Sequence, residues 1–346
     1  MRQEAAPASN EVAEMAPGIL RVQLPINFTG LGHTNMYVLE DGDGAAVIDT
    51  GLPGRTSWRA LRAGLQSAGI PLGRVHTILI THSHPDHFGN AARLAAESEA
   101  NIVTHRAFQI WWTPDSHVED LVDADEATRH SSARSGRMPW HGSSFRPSVR
   151  SRIRGWWMRE VAHRMFRTPN PTDRLEDGGR LRLGDRTLQA IHTPGHTADH
   201  LCWHEPDAGV LFSGDHVLPT ITPHIAGIGA GPDPLADYVA SLSRTAALPG
   251  IRVVLPAHGD PILNLQQRTE SILQHHEERL DDLRGIVNGG RPLTVEELSR
   301  ELFPRRRWGF MAESETFAHL EHLRFLGEVD RRESGSRIVF EAVRHK

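Results

Sequence analysis

The sequence predicts a mixed α/β protein, mixed sheets with helices outside, and three observations carry that prediction. Short apolar runs rich in Val, Ile and Leu recur through the first 265 residues, with Gly, Pro or Asp between them. Several are separated by stretches with helical spacing and strong helix formers. The earliest runs instead follow one another through tight turns, so an antiparallel meander should open the chain and strand–helix alternation should follow.

In chain order, Ile19-Leu20-Arg21-Val22, Asn35-Met36-Tyr37-Val38-Leu39 and Ala45-Ala46-Val47-Ile48-Asp49 read as strands, the last two joined by an Asp41-Gly42-Asp43-Gly44 turn. Residues 58–68, with leucines at 61 and 65, read as a helix, and Val75 to Ile80 as the next strand. Asn90 to Glu97 is rich in helix formers, and Asn101 to Thr104 returns to strand. Residues 106–174 break this rhythm: an acidic stretch is followed by ten arginines and one acid between Arg129 and Arg167, interleaved with Trp140, Trp156 and Trp157. A helical cap over the site is expected there, an anion site or a dimer contact being the other uses of such a mixture. A hairpin over 180–192, the strands Leu201-Cys202-Trp203 and Val210-Leu211-Phe212, a Pro- and Gly-rich loop over 217–234, a helix to Ala247 and a strand at 251–255 complete a main domain of residues 17–265. Beyond it lie a charged amphipathic helix (266–287), a helix opened by the capping box Thr294-Val295-Glu296-Glu297, another helix (313–326) and a hairpin around Ser334-Gly335-Ser336. These predict a small winged-helix-like module, 266–346. His275 and His276 are expected to face solvent, and residues 1–16 to form a flexible tail.

Composition narrows the function classes. With 38 basic and 43 acidic residues the net charge is −5, which argues against a protein that coats nucleic acid with its whole surface. No apolar run reaches the roughly eighteen residues of a bilayer span. The amino terminus lacks the basic start and apolar centre of a secretory signal, so a cytoplasmic protein is expected. Its one cysteine, Cys202, sits in an apolar run and is expected in the core rather than as a nucleophile or ligand.

The chemistry concentrates in Thr81-His82-Ser83-His84-Pro85-Asp86-His87, where three imidazoles and a carboxylate emerge together at a strand end. Such side chains suit zinc, manganese or iron. His82 and His84, two apart on extended chain, point to one side, and Pro85 fixes the backbone before Asp86. Four ligand-type residues in so short a stretch are poorly explained as satisfied core histidines.

This stretch has the His-x-His-x-Asp-His form of the metallo-β-lactamase superfamily, and the chain resembles that family at four further motifs in order: Ala46-Val47-Ile48-Asp49-Thr50-Gly51, Thr193-Pro194-Gly195-His196-Thr197, Phe212-Ser213-Gly214-Asp215-His216 and Pro256-Ala257-His258-Gly259. The resemblance implies a four-layer αββα sandwich with metals at one end of the sheets. By position, it implies that His82, His84 and His196 hold one divalent ion, that Asp86, His87 and His258 hold a second, and that Asp215 bridges them. Asp49 would hold the ligand loop by hydrogen bonds. Zinc is the expected metal, with manganese or iron as alternatives. A hydroxide between two such ions would be the nucleophile, with Asp86 orienting it and relaying its proton. His216, His224, Trp111 and Trp112 are candidate substrate contacts.

No cysteine ligand accompanies the second metal, which departs from β-lactamases that place one there. Asp86 with Asp215 resembles instead the hydroxyacylglutathione hydrolases, lactonases and thioesterases. The expected reaction is hydrolysis of a thioester, lactone or ester of a small acyl substrate. The alternative is a metal-dependent phosphodiesterase or endoribonuclease, with nucleic acid as partner; β-lactam hydrolysis and a non-catalytic binding role rank below it. A homodimer is compatible with the sequence.

Overall fold

Ala45 and Val47 point to one face of a strand, Ala46 and Ile48 to the other, and all four are buried, so the strand must be covered on both sides. A computed structural model of the protein describes residues 2–28, 30–42, 44–110, 138–141, 168–228, 231–335 and 337–343, and it shows what covers them. The first sheet runs in order β1 (Ala13–Ala16), β2 (Ile19–Phe28), β3 (Leu31–Asp41), β4 (Gly44–Ile48), β5 (Val75–Leu79), β6 (Asn101–His105), β7 (Asp173–Leu175). Pairing is antiparallel as far as β4 and parallel from there on. A second sheet consists of β8 (Arg180–Leu183), β9 (Arg186–His192), β10 (Leu201–Glu205), β11 (Val210–Gly214) and β12 (Val253–Pro256), with β11 and β12 parallel and the other pairs antiparallel.

The two sheets face each other across Tyr37, Leu39, Ile48, Leu79, Trp203 and Phe212, with Tyr37 and Phe212 edge to face at 5.3 Å. Each such large apolar side chain contributes about 1.5–3 kcal/mol by leaving water. Helices α1 (Arg55–Ser67) and α3 (Ala91–Ser98), with the single turn α2 (Pro85–Phe88) between them, cover the outside of the first sheet through Trp58, Leu61, Leu65 and Leu94. Helix α4 (Pro234–Ala246) begins the cover of the second, capped by the Asp233 side chain. This is the mixed α/β αββα sandwich expected from the sequence.

Four expectations change. Of the expected tail 1–16, the described residues 2–16 are not free: β1 joins the first sheet, and Glu4 is buried where it accepts hydrogen bonds from the backbone N–H groups of Thr220 and Ile221 and from the Thr220 hydroxyl. Three donors for one carboxylate explain why this end of the chain is pinned. The region after 265 does hold helices α5 (Leu265–Val287), α6 (Val295–Leu302) and α7 (Phe310–Phe325), and strands β13 (Leu293–Thr294), β14 (Val329–Ser334) and β15 (Arg337–Ala342), with the Thr294/Glu297 capping box formed. Its apolar core, however, is continuous with the outer face of the second sheet, Leu280, Leu298 and Phe340 joining Cys202, Leu211 and Val254 in one cluster. His276 is buried against His319 rather than facing solvent, and His275 is half-buried. Finally, β7 claims residues 173–175 for the first sheet, so the insertion ends earlier than 174.

The expected cap, with Trp111, Trp112, Trp156 and Trp157, falls in residues 111–137 and 142–167, outside the described residues. Trp140 is described: it is buried against Phe317 at 5.2 Å and donates from Nε1 to Glu313. No helix among the described residues is long and apolar enough to cross a membrane.

Candidate metal centre

Strands β4, β5, β11 and β12, and β9 alongside them, all end at one edge of the sandwich. Asp49, His82, Asp215, His258 and His196 follow those strand ends. Two backbone hydrogen bonds close the sheets together there, from the Leu201 N–H to Thr81 and from the Asn35 N–H to Ala257. Tight loops make the convergence feasible. Gly195 adopts φ 132°, and a Cβ there would meet the Tyr238 backbone at 2.5 Å, so the loop bearing His196 can lie on α4 only with glycine.

The structure brings all seven expected ligands together in two groups, His82, His84, His196 and Asp215, then Asp86, His87 and His258, donor atoms within each lying inside 4.8 Å of one another. His258 Nε2 stands 3.3 Å from Asp215 Oδ1 and 3.5 Å from Asp86 Oδ2, while His87 Nε2 is 3.7 and 3.6 Å from the same two atoms. His196 Nε2 is 3.6 Å from Asp215 Oδ2. Tetrahedral ligands about 2.0–2.2 Å from zinc are separated by about 3.3–3.6 Å, which these spacings match.

Hydrogen bonds from outside set which ring nitrogen faces inward. A carboxylate or carbonyl can only accept, so His87 Nδ1–H donates to Asp49 Oδ2 at 2.7 Å, His196 Nδ1–H to the His224 carbonyl at 2.7 Å and His258 Nδ1–H to the His33 carbonyl at 2.7 Å. Thr81 gives its hydroxyl proton to Asp49 and accepts from His82 Nδ1 at 3.1 Å. All four rings thus turn Nε2 toward the centre. His84 differs, turning Nδ1 toward His82 Nε2 at 2.9 Å and His196 Nε2 at 3.1 Å. The Nε2 atoms of His87 and His258 and Oδ1 of Asp215 are buried with no hydrogen-bond partner, although nearly all buried polar atoms have one. The donor set therefore fits divalent cations.

Electrostatics divides the groups. Burial, reinforced by neighbouring imidazoles, holds His82 far below its ordinary pKa and His84 at about 3, and burial lowers His196 against the pull of Asp215. These rings stay neutral and keep their lone pairs. For His87 burial is outweighed by the carboxylates of Asp86, Asp49 and Asp215, which push it up to about 10, and Asp215 and Asp86 likewise raise His258. Asp215 is held well below the carboxylate range by His258 and His87 despite burial.

Asp49 takes a left-handed backbone at φ 59°, strained for a non-glycine residue, so that its carboxylate accepts from the Thr81 N–H, the Thr81 hydroxyl and His87 together. His224 lies beside the centre through its carbonyl. His216 does not open to substrate: it is fully buried, Nε2 against Thr245 at 3.0 Å and ring against Tyr238, because the turn after β11 directs it inward beneath α4.

Sequence reasoning missed three supports. His200 Nε2 accepts from the Asp215 N–H at 3.0 Å, and its Nδ1 meets Thr193 at 2.7 Å. Asp199 accepts from Ser83 at 3.0 Å, linking the loops of His82 and His196, and burial pushes its carboxyl up to about 6. His33 braces His258 and itself donates to the Ala6 carbonyl. A histidine immediately before the apolar run Leu201-Cys202-Trp203, as His200 is, was the one local signal.

The sandwich, with histidines and carboxylates gathered at its strand ends, defines a metallo-hydrolase fold class. The chain belongs to the Metallo-beta-lactamase superfamily, whose sequence profile matches residues 29–258. It is similar to a metallo-beta-lactamase family protein from Thermus thermophilus, with a TM-score of 0.76 and 30% identity over 95% of this chain and 100% of that one. It is 30% identical to lactamase-like protein vrtG of Penicillium aethiopicum, over 87% of this chain and 78% of that protein. It is also 26% identical to an atrochrysone carboxyl ACP thioesterase of Aspergillus fumigatus, over 71% of this chain and 57% of that protein.

Proposed function

We propose that the chain is a dinuclear metal-dependent hydrolase, with zinc as the first candidate metal and manganese or iron as alternatives, acting on a thioester, lactone or ester of a small acyl substrate. The observation that carries this is the set of three buried polar atoms, His87 Nε2, His258 Nε2 and Asp215 Oδ1, that face one another without hydrogen-bond partners. His82, His84 and His196 would hold one ion, Asp86, His87 and His258 the other, with Asp215 shared. Bound there, divalent ions would polarise the scissile carbonyl and make water nucleophilic near neutral pH.

The chain's own groups do the rest. Asp86, partly open to solvent while its Oδ2 lies among the buried imidazoles, is the group to hold the attacking water's proton and pass it to the leaving thiolate or alkoxide. Asp49, His33 and the His224 carbonyl keep the imidazoles aimed, which limits reorganisation during the reaction. The 26% identical thioesterase supports an acyl substrate. A small-molecule partner, a cytoplasmic location and a homodimer complete the reading.

Purified protein loaded with zinc, manganese or iron, assayed on acyl thioesters, lactones, a β-lactam and single-stranded RNA, tests it. Turnover of thioester or lactone is expected, abolished in His82→Ala and Asp215→Ala together with bound metal. Cleavage of RNA alone would replace the reading with the phosphodiesterase one, and full activity in metal-free protein would end both.

A further inference from the structure

Helix α7, remote in sequence from every proposed ligand, contacts the loop that orients one of them. His196 is oriented by the carbonyl of His224, and the imidazole of that same His224 has its Nδ1 3.4 Å from Glu315 Oε2 on α7. One residue earlier on the helix, Ser314 Oγ accepts the N–H of Gly227 at 3.1 Å. The segment carrying the acceptor for His196 is therefore held at two points by consecutive residues of α7. Burial would raise the Glu315 carboxyl, yet His224 and His319 keep it at about 2, so it stays ionised. Behind it, His319 Nδ1–H donates to the Glu315 carbonyl at 2.8 Å and His319 Nε2 meets His276 Nδ1 at 3.1 Å, tying α7 to α5. An enclosed charge at a helix–loop contact is costly unless it is paired, and this one is paired with the residue that orients His196.

We propose that Glu315 is a positioning residue for the metal centre: through His224 it fixes the carbonyl that orients His196, so the first donor set depends on the C-terminal module. This rests on the reading of His82, His84, His196 and Asp215 as one ion's donors. His87 and His258 in the second group are oriented by Asp49 and His33 instead, so the two groups should respond differently.

The test is zinc competition against a chromophoric chelator on the full-length chain, in parallel with thermal unfolding. Wild type should show two binding steps. Glu315→Ala should weaken one step about tenfold, the loss typical of an outer partner of a ligating histidine, and leave the other within about twofold. Glu315→Gln, whose amide oxygen still accepts from His224, should restore the affinity, whereas His224→Ala should match Glu315→Ala, and the double variant should be no worse than either single one. Unchanged steps in Glu315→Ala, or equal weakening of both in proportion to a fall in Tm, would overturn the inference and leave the site reading standing. Absence of zinc uptake by wild type would remove both.

Discussion

Nδ1 of His87 and Oδ2 of Asp49 are 2.7 Å apart with both side chains buried, and this bond decides which nitrogen of His87 faces the candidate metal centre. Asp49 accepts three donors and offers none. Its isostere Asn would turn an NH2 group toward at least one of them, leaving donor against donor in a buried site. Asp49→Asn and Asp49→Ala should therefore be similarly harmful, each weakening metal binding about 10–100-fold. Elemental analysis after limited dialysis against a chelator checks this, and full metal retention in the Asn variant would contradict it.

The same carboxylates give metal binding a proton signature. His87, raised to about 10, carries a proton at pH 7.5, and a metal can bind only the neutral ring. Zinc added to metal-free protein should release at least one proton per chain, read in a weakly buffered indicator titration. The sign for stability follows. A folded-state pKa above the unfolded value of about 6.5 stabilises the metal-free protein fully below that pH, and the contribution is lost as pH rises toward 10. Urea midpoints of the metal-free protein should accordingly fall across that window, other titrations aside, and the fall should be smaller in His87→Gln.

Glu4 offers a test at the other end of the chain. Its carboxylate accepts from Thr220 and Ile221, and the same N-terminal segment takes the hydrogen bond of His33, which braces His258. Glu4→Ala should cost about 2 kcal/mol in denaturant unfolding, the scale for losing hydrogen bonds to a buried charged group. An unchanged midpoint would mean the segment is merely laid on the surface.

How much of this was legible in the sequence depends on the distance over which each residue finds its partner. Strands of the sandwich were readable because their faces are buried locally, as Ala45 to Ile48 show, and the ligand cluster because His82 to His87 gather within one short stretch. His276 was also within reach: it falls on the stripe Ile272, His276, Leu280, Leu283 of α5, at the three- and four-residue spacing of a buried helix face. Its residue type misled, since a histidine on a charged helix usually faces water. Glu4 and Glu315 carried no local signal at all, because their partners, Thr220 and His224, lie far along the chain and composition near each reads as ordinary surface. His216 erred the other way: adjacency to Asp215 suggested substrate, but a turn separates neighbours in space.

Gly214 and His200 supply the sharpest steric test. Gly214 adopts φ 51°, and a Cβ there would lie 2.6 Å from His200 Nε2 and 3.0 Å from the Thr81 Cβ. That closeness lets His200 accept the Asp215 N–H and so fix the carboxylate whose Oδ1 faces His87 and His258 and whose Oδ2 faces His196. Gly214→Ala must push His200 aside and strain its own backbone, costing about 1–3 kcal/mol and displacing Asp215 from the metals. His200→Ala removes the acceptor without the clash, leaving the Asp215 N–H unpaired at a cost of about 1–3 kcal/mol. In the double variant the missing imidazole makes room for the new methyl, so the stability loss should be smaller than the sum of the single losses, while metal retention stays low because Asp215 still lacks its support. Denaturant midpoints and metal content of the three variants separate the effects, and strictly additive losses would show that Gly214 and His200 act independently.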